Sequence, residues 1–516
     1  MSAVLEQSDL SAGPGAASPR PALRRHIGEA VVGRGDSTAL ATFMATDDPA
    51  ELVGQWFGSG VATLASRADP QALRRALDRE IAALDLLIGE QLDAILHHPD
   101  FQRLEASWRG VAFLLGAMED DERVKVRLLS LTWDELGRDF DRAAEFDQSQ
   151  LFAKIYSEEY GMPGGIPYGL LLCDYAVRHR RLAGSEAKVD DITAVAALSQ
   201  VAAAAFAPCV IGAAPELFGV ETFAELSYVQ NFEAGFVAPE YQRWRRLQQR
   251  EESRFIGIVL PRILLRDGWS DHGARHDGFR YREGAGGRGV DDWLWGNGVY
   301  AFGAVAIRAF RDWGWFADIR GTRVDLDDAG LVSGLPAPAF STGEADAYRR
   351  PLEVELADKK QKALEELGFI ALSPCRMTPF AAFLGMPSTN LTSGALSPTE
   401  GANARLSSML QYVMCVSRFA HYVKVMARDR VGGFTTAAEL ERFLGDWLRK
   451  YMIGNADAGF ELKARHPLSG GSVEVKEIPG KPGSFACTVH LQPHFQIDQV
   501  VTAFRLQTEI QGLMAA

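Results

Sequence analysis

Apolar residues recur every three or four positions through residues 403–430, NARLSSMLQYVMCVSRFAHYVKVMARDR. Leu406, Leu410, Val413, Val416, Ala420, Val423 and Ala427 form one helical stripe. Met409, Tyr412, Met414, Phe419, Tyr422 and Met426 widen it until little of the circumference stays polar. A helix apolar nearly all round is buried nearly all round, so the pattern predicts the central helix of a large core. Asn403 is placed to cap its start, and Gly432-Gly433 stop it after a last turn carrying Arg428 and Arg430.

The rest of the chain alternates helical and strand-like periods. Residues 1 to about 36 are rich in Ala, Gly, Ser and Pro and read as disordered, apart from an amphipathic stretch at Ala22–Val32. Asp48 caps a short helix to Phe57, and Val61–Ser66 (VATLAS) has strand character. Asp69-Pro70 opens a long helix with the stripe Leu73, Leu77, Ile81, Leu84, Ile88, Leu92, Ile95, which ends at His97-His98-Pro99. A second helix follows from Asp100 to about Met118. Val124–Leu131 (VKVRLLSL) alternates as a half-buried strand, with Thr132 capping the next helix. Gly169–Tyr175 and Phe255–Leu260 are continuous apolar runs, the pattern of strands buried on both faces. Cys209–Gly212, Trp315–Arg320 and Phe369–Leu372 add strands; Asp190–Phe206, Ala238–Arg250, Val299–Phe310 and Asp358–Leu367 are helices.

Strands interleaved with helices predict a mixed α/β, multi-domain fold. Met386–Gly401 (MPSTNLTSGALSPTEG) is the clearest loop and the expected boundary. The expected division is an arm at 1–68, an α/β domain at 69–385, a linker at 386–401 and a C-terminal domain at 402–516. Beyond the central helix, that last part holds a helix near Ala437–Tyr451, a hairpin of Ser472–Ile478 and Phe485–Gln492, and strand-like alternation at Phe504, Leu506, Thr508 and Ile510.

With 516 residues the chain exceeds what one core usually holds. A net charge of −13 argues against a nucleic-acid partner, because neutralising phosphates takes a basic excess. The five cysteines, Cys173, Cys209, Cys375, Cys415 and Cys487, have no CxxC spacing and read as small buried hydrophobes in a reducing compartment. No signal peptide is visible, and the uncharged stretch Ile192–Ala214 is too alanine-rich for a membrane span. A cytoplasmic location is expected.

Candidate chemistry is sparse. Gly284-Ala-Gly286-Gly-Arg-Gly289 spells GxGxxG, but it lies outside a strand–helix turn and beside Asp291-Asp292, so it reads as a loop. His272 and His276, with Asp271 and Asp277, could hold a metal, yet no regular element fixes their spacing. The pairs His97-His98 and His490/His494 read as capping or surface residues, and His421 as a hydrogen-bonded core histidine without a nucleophile. Asp174 and Asp318, near the ends of expected strands, are the candidates for acid/base work. Trp293, Trp295, Trp313 and Trp315 bracket one helix as a core or a binding platform.

ANARLSSMLQYVMCVSRFAHYVKVMARDR resembles the signature helix of the large subunit of the type VI secretion contractile sheath, the TssC/VipB family. AILHHPDFQRLEASWRG resembles that family's first helix pair, and FDQSQLFAKIYSEEYGMPGGIPYGLLLCDY follows its EFDQS…IYEEEYG…GGEPYG…GDY pattern, with Cys173 where glycine is usual. SRFIGIVLPRILLR, WLWGNGVYAFGA, DIRG, IPGKPGSF and LQPHFQIDQVVTAFRL match in the same order, while the segment before Leu73 and the region 267–292 depart from it. The resemblance implies a structural subunit, not an enzyme, with no cofactor and no membrane insertion. Its implied partners are a small TssB/VipA-like sheath subunit, copies of itself in a helical polymer, an inner tube protein, a baseplate and a ClpV-like AAA+ unfoldase. Terminal arms would exchange strands between subunits: Val61, Thr63 and Ala65 on one side, Phe504, Leu506, Thr508 and Ile510 on the other. Leu23, Ile27 and Val31 would face the unfoldase. Rival readings are an accessory, capping paralogue that does not polymerise and a soluble α/β enzyme using Asp174 or Asp318.

Overall fold

The computed structural model describes residues 42–57, 70–119, 121–162, 164–180, 190–271, 278–284, 293–323, 326–336, 351–375, 378–391, 407–429, 436–455, 458–478, 485–494 and 504–510. Two compact units result, Met1–Ile95 with Trp269–Ala285, and Leu96–Gly268 with Gly286–Ala516.

In the first unit, α1 (Pro49–Phe57) starts at Asp48, whose carboxylate accepts the Ala50 amide at 3.2 Å. The long α2 (Pro70–Leu96) follows the predicted period, and Leu77, Ile81, Ile88 and Ile95 of its stripe are solvent-exposed. Asp93 on this helix accepts the Tyr281 hydroxyl at 2.7 Å and the Gly284 amide at 3.3 Å. The first amide of the GxGxxG sequence is thus occupied by a carboxylate, and residues 285–290 lie outside the described set.

The second unit begins with α3 (Pro99–Met118), which follows a two-residue break at His97-His98, and the His98 ring accepts the Asp100 amide. Next comes α4 (Trp133–Arg142), with Thr132 and Glu135 forming a reciprocal capping box. The main sheet has the order β1-β2-β3-β7-β8-β6. Its parallel part is β1 (Leu171–Val177), β2 (Cys209–Ala213), β3 (Ile256–Leu260) and β7 (Phe369–Pro374). The crossover helices are α5 (Asp191–Ala205), α6 (Gln242–Gln248), α7 (Val299–Trp313) and α8 (Asp358–Glu366). β8 (Ala381–Phe383) pairs antiparallel with β7 and with β6 (Leu331–Val332), while β4 (Ile263–Arg266) and β5 (Leu294–Gly296) form a separate ribbon.

Continuous apolar strands are explained by two cores, one on each face of this sheet. Cys209, Ile211, Ile256, Ile258 and Phe369 enter the first, while Val210, Val259, Ile370 and Leu372 enter the second. The central helix α9 (Leu410–Asp429) joins the second core through Leu410 and Met414. Cys415, Phe419, Ala420, Val423 and Ala427 of the same helix build a third core. That core is closed by α10 (Ala437–Arg449), α11 (Phe460–Arg465) and a three-stranded antiparallel sheet, β9 (Leu468–Glu477), β10 (Phe485–Pro493) and β11 (Phe504–Ile510).

Several expectations are corrected. Val124–Leu131 forms no strand, because no neighbouring segment pairs with its backbone among the described residues. Trp315–Arg320 is a buried bend instead of a strand: Gly314 and Gly321 at its ends take φ of 77° and 76°, reversing the chain. β1 is an edge strand with Asp174 and Ala176 exposed, not a strand buried on both faces. Within Ala238–Arg250, a single 3₁₀ turn at Pro239–Tyr241 precedes the regular helix. Met386–Leu391 forms no helix or strand, as expected of a loop, and it is also tied into the core: the Thr389 backbone amide donates to the Ile256 carbonyl at 2.8 Å and the Asn390 side-chain amide to the Arg250 carbonyl at 2.7 Å. Because Met409 bridges to Pro387, the continuous central helix starts at Leu410, after the expected cap at Asn403, which lies outside the described residues.

Candidate functional site

Of the assembly residues expected from sequence, Leu23, Ile27, Val31, Val61, Thr63, Ala65 and Leu406 lie outside the described set. Leu410, Val413, Ala420 and Val423 are buried on α9. β11 carries Phe504, Leu506, Thr508 and Ile510 in an antiparallel ladder running from Phe485 opposite Ile510 to Leu491 opposite Phe504. β10 is the middle strand, so β11 and β9 are the two edges of this sheet. Alternation on β10 is regular: Phe485, Cys487, Val489 and Leu491 face the third core and the residues between them are half-buried. One edge of β11 is used by β10, and its other edge has no ladder partner among the described residues.

The charged residues of α9 tie this helix to the segment 156–168. Lys424 has its ammonium 5.1 Å from the ring centres of Tyr156 and Tyr160 and 4.7 Å from that of Phe206. Burial pushes its pKa down to about 8. Arg428 donates to the carbonyls of Glu159 and Met162, each at 3.1 Å, and to Gly165 at 3.4 Å. Glu159 is itself buried; its carboxylate takes the Ile166 amide at 2.7 Å and pairs with Arg127. The EEYGMPGG sequence is therefore a docking loop for the end of the central helix. Reading Arg428 as a dipole partner alone missed this; the available signal was two cations, Lys424 and Arg428, four residues apart on one side of a largely apolar helix.

The enzyme candidates are all engaged. Asp174 lies in mid-strand and accepts Ser107 Oγ at 2.5 Å and the Tyr300 hydroxyl at 2.7 Å. Desolvation, then the adjacent Asp174 carboxylate, pushes the Tyr300 phenol well up. Asp318 is buried in a bidentate pair with Arg323, at 2.8 and 2.5 Å, and Arg323 also reaches Asp328 at 2.7 Å. His421 is buried, with Nε2 3.2 Å from the Ala205 carbonyl; burial, then the Arg418 charge, holds its pKa down to about 3. Trp315 stacks on Phe419 at 4.3 Å as part of the third core, and Trp313 meets Phe460 edge-on at 6.2 Å. Among the described residues no group of three or more His, Cys, Asp or Glu side chains is arranged to hold a metal; His272, His276 and Asp277 lie outside that set. Adjacent strands bring Cys173 and Cys209 to an Sγ–Sγ distance of 3.3 Å, a proximity their spacing of thirty-six positions did not reveal. No helix among the described residues is long and apolar enough to cross a membrane.

Two family models match in series. Residues 78–390 match VipB, the EvpB tail sheath N-terminal domain, and residues 399–510 match VipB_2, the tail sheath gpW/gp25-like domain. The chain is also similar to the type VI secretion system sheath protein TssC1 of Pseudomonas aeruginosa, 34% identical over 449 residues, which covers 86% of this chain and 87% of the relative. Extended matches of this kind, over a fold with an open-edged C-terminal sheet and no free catalytic group at the positions considered, make the chain a member of the TssC/VipB family of type VI secretion sheath proteins.

Proposed function

We propose that this chain is the large, structural subunit of a contractile type VI sheath, co-assembling with a smaller sheath subunit and with copies of itself into a helical tube. The tube surrounds an inner tube protein, starts from a baseplate, and drives effectors outward when it shortens. Family membership supports this reading, and the observation that carries it is the edge position of β11. An edge strand accepts a strand from a neighbour through main-chain bonds, which hold while the angle between subunits changes. Subunits joined by an interface that does not close on itself build an open helix.

In this scheme residues 1–68 are an arm that donates Val61–Ser66, residues 69–385 form the sheath body, 386–401 the linker, and 402–516 the accepting domain. The stroke draws on two packings of the same subunits, the extended one metastable, and uses no nucleotide. A ClpV-like AAA+ unfoldase then recycles the contracted form through the helix bearing Leu23, Ile27 and Val31. Asp174 and Asp318 hold structure and perform no chemistry, a role supported by the hydroxyls of Ser107 and Tyr300 on Asp174 and by the Arg323 pair on Asp318.

The test is negative-stain microscopy of the chain co-expressed with its small sheath subunit, with and without residues 1–68. Tubes are expected from the full chain, and discrete particles with an unchanged melting temperature from the truncated one. Discrete particles from the full chain would overturn the sheath reading, and tubes from the truncated chain would remove the arm's role.

A further inference from the structure

A second unpaired stretch of backbone lies far from β11 in sequence. Lys125 to Ser130 make no backbone hydrogen bond, as donor or acceptor, among the described residues. Yet their sequence alternates as a strand should, and Leu128 and Leu129 are 62% and 56% exposed. The segment is held in place by side chains only: Arg127 reaches Glu159 and the Tyr168 hydroxyl, and the Tyr175 hydroxyl donates to the Leu131 carbonyl. Tyr168 precedes β1 and Tyr175 lies within it, so the segment follows the free edge of the main sheet without joining its ladder. The backbone of this exposed segment is left to solvent, and exposed leucines beside unpaired main chain are the features of an edge awaiting a partner.

The charge around the segment selects the occupant. Leu129 and Leu131 line a groove of about 780 Å³ whose rim includes Arg138, Arg142 and Lys154. Two acids of the rim are already engaged: Glu135 accepts the Thr132 amide and hydroxyl at 2.8 Å each, and Asp139 accepts the Gln150 and Leu151 amides at 3.0 Å each. Lys125, Arg142 and Lys154 have no anionic partner among the described residues. Arg138, Arg142 and Lys154 against Glu135 and Asp139 leave the groove lining one charge positive on a chain of net charge −13, and both acids already face donors of this chain, so the open charges favour an acidic ligand. Strand segments of this chain do not supply one: VATLAS is uncharged, and Phe504–Ile510 is already paired with β10.

From these observations we infer that Val124–Leu131 is a docking edge for an extended strand of a different polypeptide, the smaller sheath subunit, in which apolar residues alternate with Asp or Glu. This rests on the sheath reading for the source of the strand. Main-chain bonds along Lys125–Ser130 give affinity, Leu128 and Leu129 are covered, and the cations around the groove choose the acidic partner.

Amide hydrogen exchange on the full chain, alone and co-purified with its small sheath subunit, tests the assignment. Lys125–Ser130 should exchange freely in the chain alone and at least about tenfold more slowly in the complex. Leu128→Pro removes an amide that nothing uses in the isolated chain, so it should leave the melting temperature unchanged and abolish or sharply weaken the complex. Lys125→Glu, Arg142→Glu and Lys154→Glu together should weaken the complex most at low salt. A stable complex in which these amides still exchange freely would overturn the inference and leave the sheath reading standing. No complex at all would overturn both. Protection that grows with the concentration of the chain alone would assign the edge to a second copy and refute the acidic partner.

Discussion

Phe419→Ala is the sharpest probe of how the central helix holds the C-terminal sheet. Phe419 is fully buried, stacks on Trp315 at 4.3 Å, and meets Trp447 and Tyr451 at 5.8 and 6.0 Å. Truncating a buried phenylalanine loses its transfer free energy and leaves a cavity, together about 3–5 kcal/mol. Phe419→Leu keeps most of the apolar volume and loses the ring pairing, about 0.5–1.5 kcal/mol for each pair. Urea unfolding gives the totals, and native-state hydrogen exchange shows where they fall. The loss should concentrate in β9, β10 and α10, which share the third core, and spare β2 and β3, which do not touch it. A change below about 1 kcal/mol for the alanine variant would refute the claim that this ring cluster ties helix to sheet. An equal loss of protection in β2 and β3 would show that the cores open as one unit.

Burial and the Arg418 charge hold the His421 pKa down to about 3, so between there and the ordinary histidine value the unfolded chain binds a proton that the folded chain refuses. Stability from this residue is complete above about pH 6.5 and falls by at most about 1.4 kcal/mol per unit as pH drops toward 3, so His421→Gln should flatten the wild-type pH–stability curve between pH 6 and 4. A Cβ on Gly110 would fall on the ring carbons of Tyr300, whose hydroxyl is tethered to Asp174, so Gly110→Val should cost about 1–3 kcal/mol by thermal melting, with part recovered in the double variant with Tyr300→Ala. Asp174→Asn keeps an acceptor for Ser107 and Tyr300, so stability should change by less than about 1.5 kcal/mol and tube formation and secretion should persist; loss of secretion with tubes intact would reopen the catalytic reading.

Periodicity made most of the fold legible. The two-core sheet was written in runs such as Cys209–Gly212 and Phe369–Leu372, because a strand covered on both faces has no polar positions to interrupt it. Pattern failed where the deciding interaction is distant. Trp315–Arg320 is as apolar as a strand, but Gly314, Gly321 and the Asp318–Arg323 pair turn it back. Met386–Leu391 has loop composition, yet the Thr389 backbone amide donates to the β3 carbonyl of Ile256, and the Asn390 side-chain amide to the carbonyls of Gln248 and Arg250 at the end of α6 and just after it. Local propensity yields to tertiary hydrogen bonding in both cases. The roles of Lys424, Arg428 and Glu159 were invisible for a related reason: a charge on an apolar helix announces a partner but not its address.

The contrast between side chains and backbone argues for what the molecule is built to do. At the positions where acid/base chemistry would need a free group, each side chain is already held: Asp174 and His421 by partners from other segments, Asp318 by Arg323 five residues on. An enzyme keeps such groups accessible and poised near the working pH, and burial holds His421 far below it. Unused hydrogen-bonding capacity lies instead in main chain, along the outer edge of β11 and along Lys125–Ser130, among the described residues. Backbone pairing specifies a neighbour through register and accepts rotation about the joint, which a fixed side-chain interface does not. A subunit that must stay joined while its lattice changes pitch requires that kind of bond, and two such edges in different parts of one chain allow contacts in more than one direction of the lattice.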